Sequence, residues 1–121
     1  MRRAGAALVG IWLVSLPLVT WQRLPIWQDE ARLWRDAAWW APAKVRPVVN
    51  LGSLAQAAGQ PIARAYYTHA LELIANPDRP WFERREGCVI VTRNLALEAL
   101  QQHRWAEAIE WGGHACDFSR P

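Results

Sequence analysis

Strand signals are almost absent from this chain of 121 residues. Its one β-branched run, Val89-Ile90-Val91-Thr92, is embedded in helical spacing, which leaves no stretch to build a sheet or barrel. Cysteine is scarce: Cys88 and Cys116 are too few for a disulfide-built scaffold or for a zinc site made of four thiolates. Charge is limited to 21% of residues against a hydrophobic share of 52%, with nine Trp. A disordered chain has the opposite composition. The length excludes a two-domain enzyme or a doubly wound sheet with inserted loops. The formal charge is +3, but Arg2 and Arg3 are two of the 14 basic residues, which leaves 12 against 11 acidic ones from Gln22 onward. A nucleic-acid partner, which wants a basic stripe on the folded domain, is not expected.

Catalytic patterns are also missing. The chain holds no G-x-S-x-G, phosphate loop, HExxH or dinucleotide-binding pattern. His69, His103 and His114 do not make a metal motif, since His114-x-Cys116 lacks a second pair of ligands. They read as exposed residues at helix ends. Asp29, Glu30, Glu72, Glu83, Glu107 and Glu110 read as solvated helix faces, with no acid/base pair among them. The expectation is no enzyme, no cofactor and no metal.

One long apolar run is present. Met1-Arg2-Arg3 precedes residues 4–21, 18 positions without a charge, at the lower end of the roughly 17–25 residues that span a bilayer as a helix. A basic start and apolar core also fit a secretory signal, yet Pro17-Leu18-Val19-Thr20-Trp21-Gln22 offers no small-residue cleavage site. An uncleaved signal anchor over 1–22 is the favoured reading, with Trp21 at the headgroup level. The alternative, a buried helix apolar on every face, has little to hide behind in so short a chain. Arg2 and Arg3 favour a cytoplasmic N-terminus, although Arg23, Arg32 and Arg35 weaken the bias. The expected location is a bacterial inner membrane, single-pass, with the C-terminal domain periplasmic; the bacterial setting rests on the style of the sequence.

Beyond the anchor, Pro42, Pro47, Gly59-Gln60-Pro61, Asn76-Pro77 and Gly112-Gly113 punctuate the chain. The spacing predicts helices near 27–41, 45–58, 62–75, 81–102 and 105–118, and connections of two to eight residues imply antiparallel neighbours. Asn50-Leu51-Gly52, Gly59 and Tyr67-x-x-Ala70 set one phase; Asn94-Leu95-Ala96, Ala108 and Ala115 repeat it. This pattern resembles the tetratricopeptide repeat, a helix–turn–helix of 34 residues. On the family's frame Leu51, Gly52 and Ala55 take helix A positions 7, 8 and 11, and Ala63, Tyr67 and Ala70 take helix B positions 20, 24 and 27. Leu95, Ala96, Ala99, Ala108 and Ala115 repeat five of these six, while Gly112 stands where the family has an aromatic. Trp34 and Ala37 match a preceding half-repeat. The resemblance implies an all-α chain: a short α-solenoid of antiparallel helix–turn–helix repeats over 23–121 (half-repeat 27–42, repeats 45–77 and 81–121) preceded by one transmembrane helix. Small residues at positions 8, 20 and 27 let paired helices approach, and large ones at 7 and 24 fill the layer between them.

A narrower resemblance lies at the junction. Trp27-x-Asp29-Glu30-x-x-Leu33-Trp34-x-Asp36, then Pro42, Arg46 and Asn50-Leu51-Gly52, is similar to the segment after the membrane part of repeat-bearing membrane proteins, some of them glycosyltransferase-like. With a single candidate span here, it implies the repeat module alone and no transferase activity.

Within the resemblance, Asn50 and Asn94 share position 6, where an Asn amide of some repeat superhelices bonds the backbone of an extended peptide as donor and acceptor at once. Arg46, Ser53 and Gln56 are expected beside Asn50, and Arg93 and Glu98 beside Asn94, on the same concave face. Cys88 and Cys116 fall where helix A starts and helix B ends, within disulfide reach of about 4.4–6.8 Å between Cα atoms; the alternative is two small buried thiols. Trp21, Trp27, Trp39, Trp40 and Trp81 are the expected membrane-contacting or partner-contacting aromatics. The chain is thus expected to be a membrane-anchored interaction or scaffold module for an unidentified protein or peptide partner. Alternatives are a small structural or assembly subunit of a membrane complex, itself able to form a homo-oligomer, or a remnant of a larger repeat-bearing membrane protein.

Overall fold

The computed structural model describes residues 2–114 and 116, with side chains from Gly10 onward. All regular structure among these residues is helical: α1 (Arg2–Gln28), α2 (Glu30–Trp40), α3 (Val45–Ala57), α4 (Ala63–Ala75), α5 (Trp81–Gln101) and α6 (Trp105–Gly112). The chain divides into two compact units, Met1–Leu33 and Trp34–Pro121.

The first unit is α1 and the start of α2. α1 runs past the expected boundary at 22 and through both Pro17 and Pro25. It stops where Asp29 caps the next helix. The Asp29 carboxylate accepts the backbone N–H groups of Ala31 (2.9 Å) and Arg32 (3.2 Å), and its carbonyl accepts that of Leu33. These are the orphan donors of a helix start, and an Asp there satisfies two of them. The single helix expected over 27–41 is therefore broken at Asp29. On α1, Ile11, Trp12, Leu13, Val14 and Trp21 are each 63–76% exposed. No helix among the described residues is long and apolar enough to cross a membrane. The span expected over 4–21 starts in residues 4–9, whose side chains lie outside the described set.

The second unit holds the core. α3 packs on α4, α5 on α6, and α5 also on α4 and α3. Five residues join α3 to α4 and three join α5 to α6, so each pair is an antiparallel hairpin. The two turns match bond for bond. In the first, Gly59 has φ +65, Gln60 N–H donates to Ala55 O at 2.8 Å and Gly59 N–H to Gln56 O. In the second, His103 has φ 58, Arg104 N–H donates to Ala99 O at 2.8 Å and His103 N–H to Leu100 O. Both are left-handed helix stops with a six-to-one bond, with a glycine in one and a strained histidine in the other.

Tyr67, Ile74, Leu95 and Val91 are the largest fully buried side chains, packed with Val48, Val49, Ala55, Ala63, Ala70 and Cys88. Gly52 and Tyr67 explain how closely α3 approaches α4. A Cβ on Gly52 would sit 2.6 Å from Tyr67 Cε1, so the ring occupies the place of a side chain. Between the hairpins, Arg79 replaces a helix cap that Pro77 prevents. Its guanidinium donates to Leu73 O at the end of α4, to Ala43 O and to Glu83, while Arg84 donates to Ile74 O. Cations at a helix C-terminus satisfy its last carbonyls and oppose its dipole. α2 carries no buried residue; Trp34 is half-buried. α6 ends at Gly112, short of the expected 118, because the Gly112-Gly113 pair disfavours helix.

Candidate functional site

The turn end of the two hairpins is locked by ions. Glu98 is 4% exposed, and both its oxygens accept from Arg104 Nη2 (2.7 and 2.5 Å), with Arg64 Nη1 at 3.9 Å. Glu107 accepts from Arg64, Arg104 and the Trp111 indole N–H. The Arg64 hydrogen bond, with the charges of Arg64 and Arg104 behind it, holds the Glu107 carboxyl at about 2 against an ordinary 4.5. Beside this network Gln56 donates to Gln101 and accepts the Tyr67 hydroxyl at 2.7 Å. Burial, the largest influence, pushes the Tyr67 phenol above its usual range.

This geometry divides the residues expected on one concave face. Glu98 is buried and spent on arginines, so its carboxylate is not offered to a ligand. Gln56 is spent on Tyr67 and Gln101, and Ser53 donates to Val49 O. Asn50 and Asn94 are half-buried, Arg46 and Arg93 exposed. Asn50 and Arg46 line a groove of about 600 Å³ between α3 and α5, with Val49, Gly87 and Ile90 as its apolar wall and Glu83 and Glu86 across from Arg46. The Asn50 amide has no hydrogen bond among the described residues. Asn94 does not line that groove, and Arg93 belongs to another.

The second groove, about 590 Å³, lies between α5 and the end of α6, where Arg85, Arg93, Ala96, Trp111, Gly112 and His114 meet. Nothing in sequence reasoning singled out Arg85 for a site; the signal was the glycine at 112 in an aromatic's place. Cys116 lines this groove too and is bonded to Cys88, their Cα atoms 5.7 Å apart. The bond fastens the chain beyond α6 back to the buried side of α5.

Among the expected aromatics, Trp21, Trp27, Trp39 and Trp40 are 69–81% exposed. Trp81 is half-buried and meets Phe82 edge to face at 6.1 Å. No cluster of three or more metal-ligating side chains occurs among the described residues. What the fold defines at this level is an all-α domain of two stacked helical hairpins. No protein-family model matches the chain, nor does any curated protein or solved structure.

Proposed function

We propose that the chain is a membrane-anchored, tetratricopeptide-like interaction module without catalytic activity, which takes an extended peptide of a protein partner in the groove between α3 and α5. The observation that carries the reading is Asn50, a half-buried amide with no hydrogen bond among the described residues, set in a groove with one apolar wall and charges of both signs on its rim. An amide there offers a donor and an acceptor to a peptide bond whatever side chains flank it. Two further features support the repeat: the matching turns at Gly59 and His103, and the burial of Leu51, Gly52, Ala55, Ala63, Tyr67 and Ala70 in the family's phase. The exposed apolar residues of α1 support the anchor, since nothing among the described residues of their own unit covers them.

The test is a photo-crosslinking residue at Ile90 of the full chain in its native membrane, with Thr68 on α4 as control. Crosslinking to a partner from Ile90, lost on Asn50→Ala, is expected. Capture that survives Asn50→Ala, or is equal from Thr68, refutes the reading. A second reading, an assembly subunit, is favoured by Ile109 (76% exposed) and Trp105 (58%) on α6. Gel filtration of the full chain in detergent distinguishes them: a monomer favours the interaction module, a defined oligomer the subunit.

A further inference from the structure

The two hairpins differ at one packing position, and the second groove lies there. In the first, the Tyr67 ring rests on Gly52 and fills the layer between α3 and α4. In the second, the matching pair is Ala96 and Gly112. The ring is gone, and a Cβ on Gly112 would meet nothing within 4 Å among the described residues. The volume left is open to solvent and walled by Ala96, Leu97, Val89 and Trp111. Its rim is cationic: Arg85 and Arg93 line it, with His114 opposite. Neither arginine has a carboxylate or hydrogen-bond partner among the described residues, and none of the described residues that line the groove is acidic. The Cys88–Cys116 bond holds one wall in place before anything binds, which lowers the ordering cost of association.

We propose that this groove is a docking site for an acidic protein segment carrying an aromatic residue, whose ring enters the space the Tyr67 ring fills in the first hairpin and whose carboxylates meet Arg85 and Arg93. A flat ring suits a slot between two helices, and guanidinium–carboxylate bonds fix its direction. Two cations without an ion-pair partner among the described residues select an acidic partner over a basic one. This site is separate from the groove at Asn50 and does not rest on its occupation.

The probe is a fluorescein-labelled peptide, Asp-Glu-Phe-Glu-Asp, titrated into the full chain by anisotropy. Saturable binding is expected. It should fall at least tenfold for the same peptide with Ala in place of Phe, and at least tenfold for the Gly112→Tyr chain, whose added ring fills the slot and raises the melting temperature. Arg85→Gln with Arg93→Gln should weaken binding several-fold and flatten its salt dependence. Absence of saturable binding, equal binding of the Ala peptide, or undiminished binding by a folded Gly112→Tyr chain overturns the proposal. Should Gly112→Tyr fail to fold, the double arginine variant decides, and unchanged binding there overturns it. Tighter binding by a Phe118→Ala chain also overturns it, in favour of an occupant from the chain itself.

Discussion

Adding one methyl group at Gly52 and one at Gly112 should have opposite effects, because Gly52 lies under the Tyr67 ring in the first hairpin while Gly112 of the second faces open space among the described residues. Each Gly→Ala change gains helix propensity, up to about 1 kcal/mol, and less at Gly112, the last residue of its helix. At Gly112 the new Cβ meets nothing within 4 Å among the described residues, so that gain sets the expectation: a stabilisation of about 0.5 kcal/mol. At Gly52 the Cβ would lie 2.6 Å from Tyr67 Cε1 and 2.9 Å from Cδ1. The ring cannot swing aside, because it is 0% exposed and its hydroxyl is tied to Gln56. Overpacking costs of about 1–3 kcal/mol are usual, and a clamped ring belongs at the top of that range. The net expectation for Gly52→Ala is a loss of about 2 kcal/mol, or roughly 8–16 °C in melting temperature for a domain of this size. Thermal melts of the full chain by far-UV circular dichroism measure both variants. Adding Tyr67→Leu, which removes the clashing ring, should recover part of the Gly52→Ala loss relative to Tyr67→Leu alone. A Gly52→Ala chain that melts at or above the parent refutes the close approach of α3 and α4.

Other expectations concern the turn, the ions and the disulfide. His103→Gly should stabilise by about 1 kcal/mol, since a left-handed backbone costs a residue with a Cβ about 1–2 kcal/mol and glycine nothing steric; an unchanged denaturation midpoint counts against the strained turn. The Glu107 pKa is depressed in the fold, so its contribution is complete above pH 4.5 and disappears as pH falls toward about 2. Urea midpoints measured across that window should fall less for Glu107→Gln than for the parent, and parallel curves would contradict the Arg64–Glu107 bond. Reduction of the Cys88–Cys116 bond, which spans 28 positions, should cost about 3.5 kcal/mol by loop closure. Melts with and without reductant, with a thiol count on the oxidised protein, check it; two free thiols before reduction would contradict the bond.

How much could be read in advance depended on the range of the interaction. Punctuation and spacing are local, and they were legible: Gly59-Gln60-Pro61 and Asn76-Pro77 do separate helices, and Leu51, Tyr67 and Leu95 do face the interior. The break at Asp29 was local as well. An Asp before Glu30 and two residues before Ala31 is a capping signal. Glu98 was not legible as a buried group. On the repeat frame it falls beside Asn94 on an open concave face, and only Arg104 across the turn and Arg64 from another hairpin compensate the burial of its carboxylate.

The sequence by itself determined that the chain is helical, where its turns lie and which faces are apolar, because these follow from propensity, capping and period along the chain. The tertiary structure alone decided which residues of the expected face remain free to bind. It set Asn50 in an open groove, spent Gln56 and Glu98 on internal partners, and turned a single glycine at 112 into a slot edged by Arg85 and Arg93. The physical reason is that availability for binding depends on what other helices bring to a side chain, and α3, α4, α5 and α6 meet only when the hairpins stack.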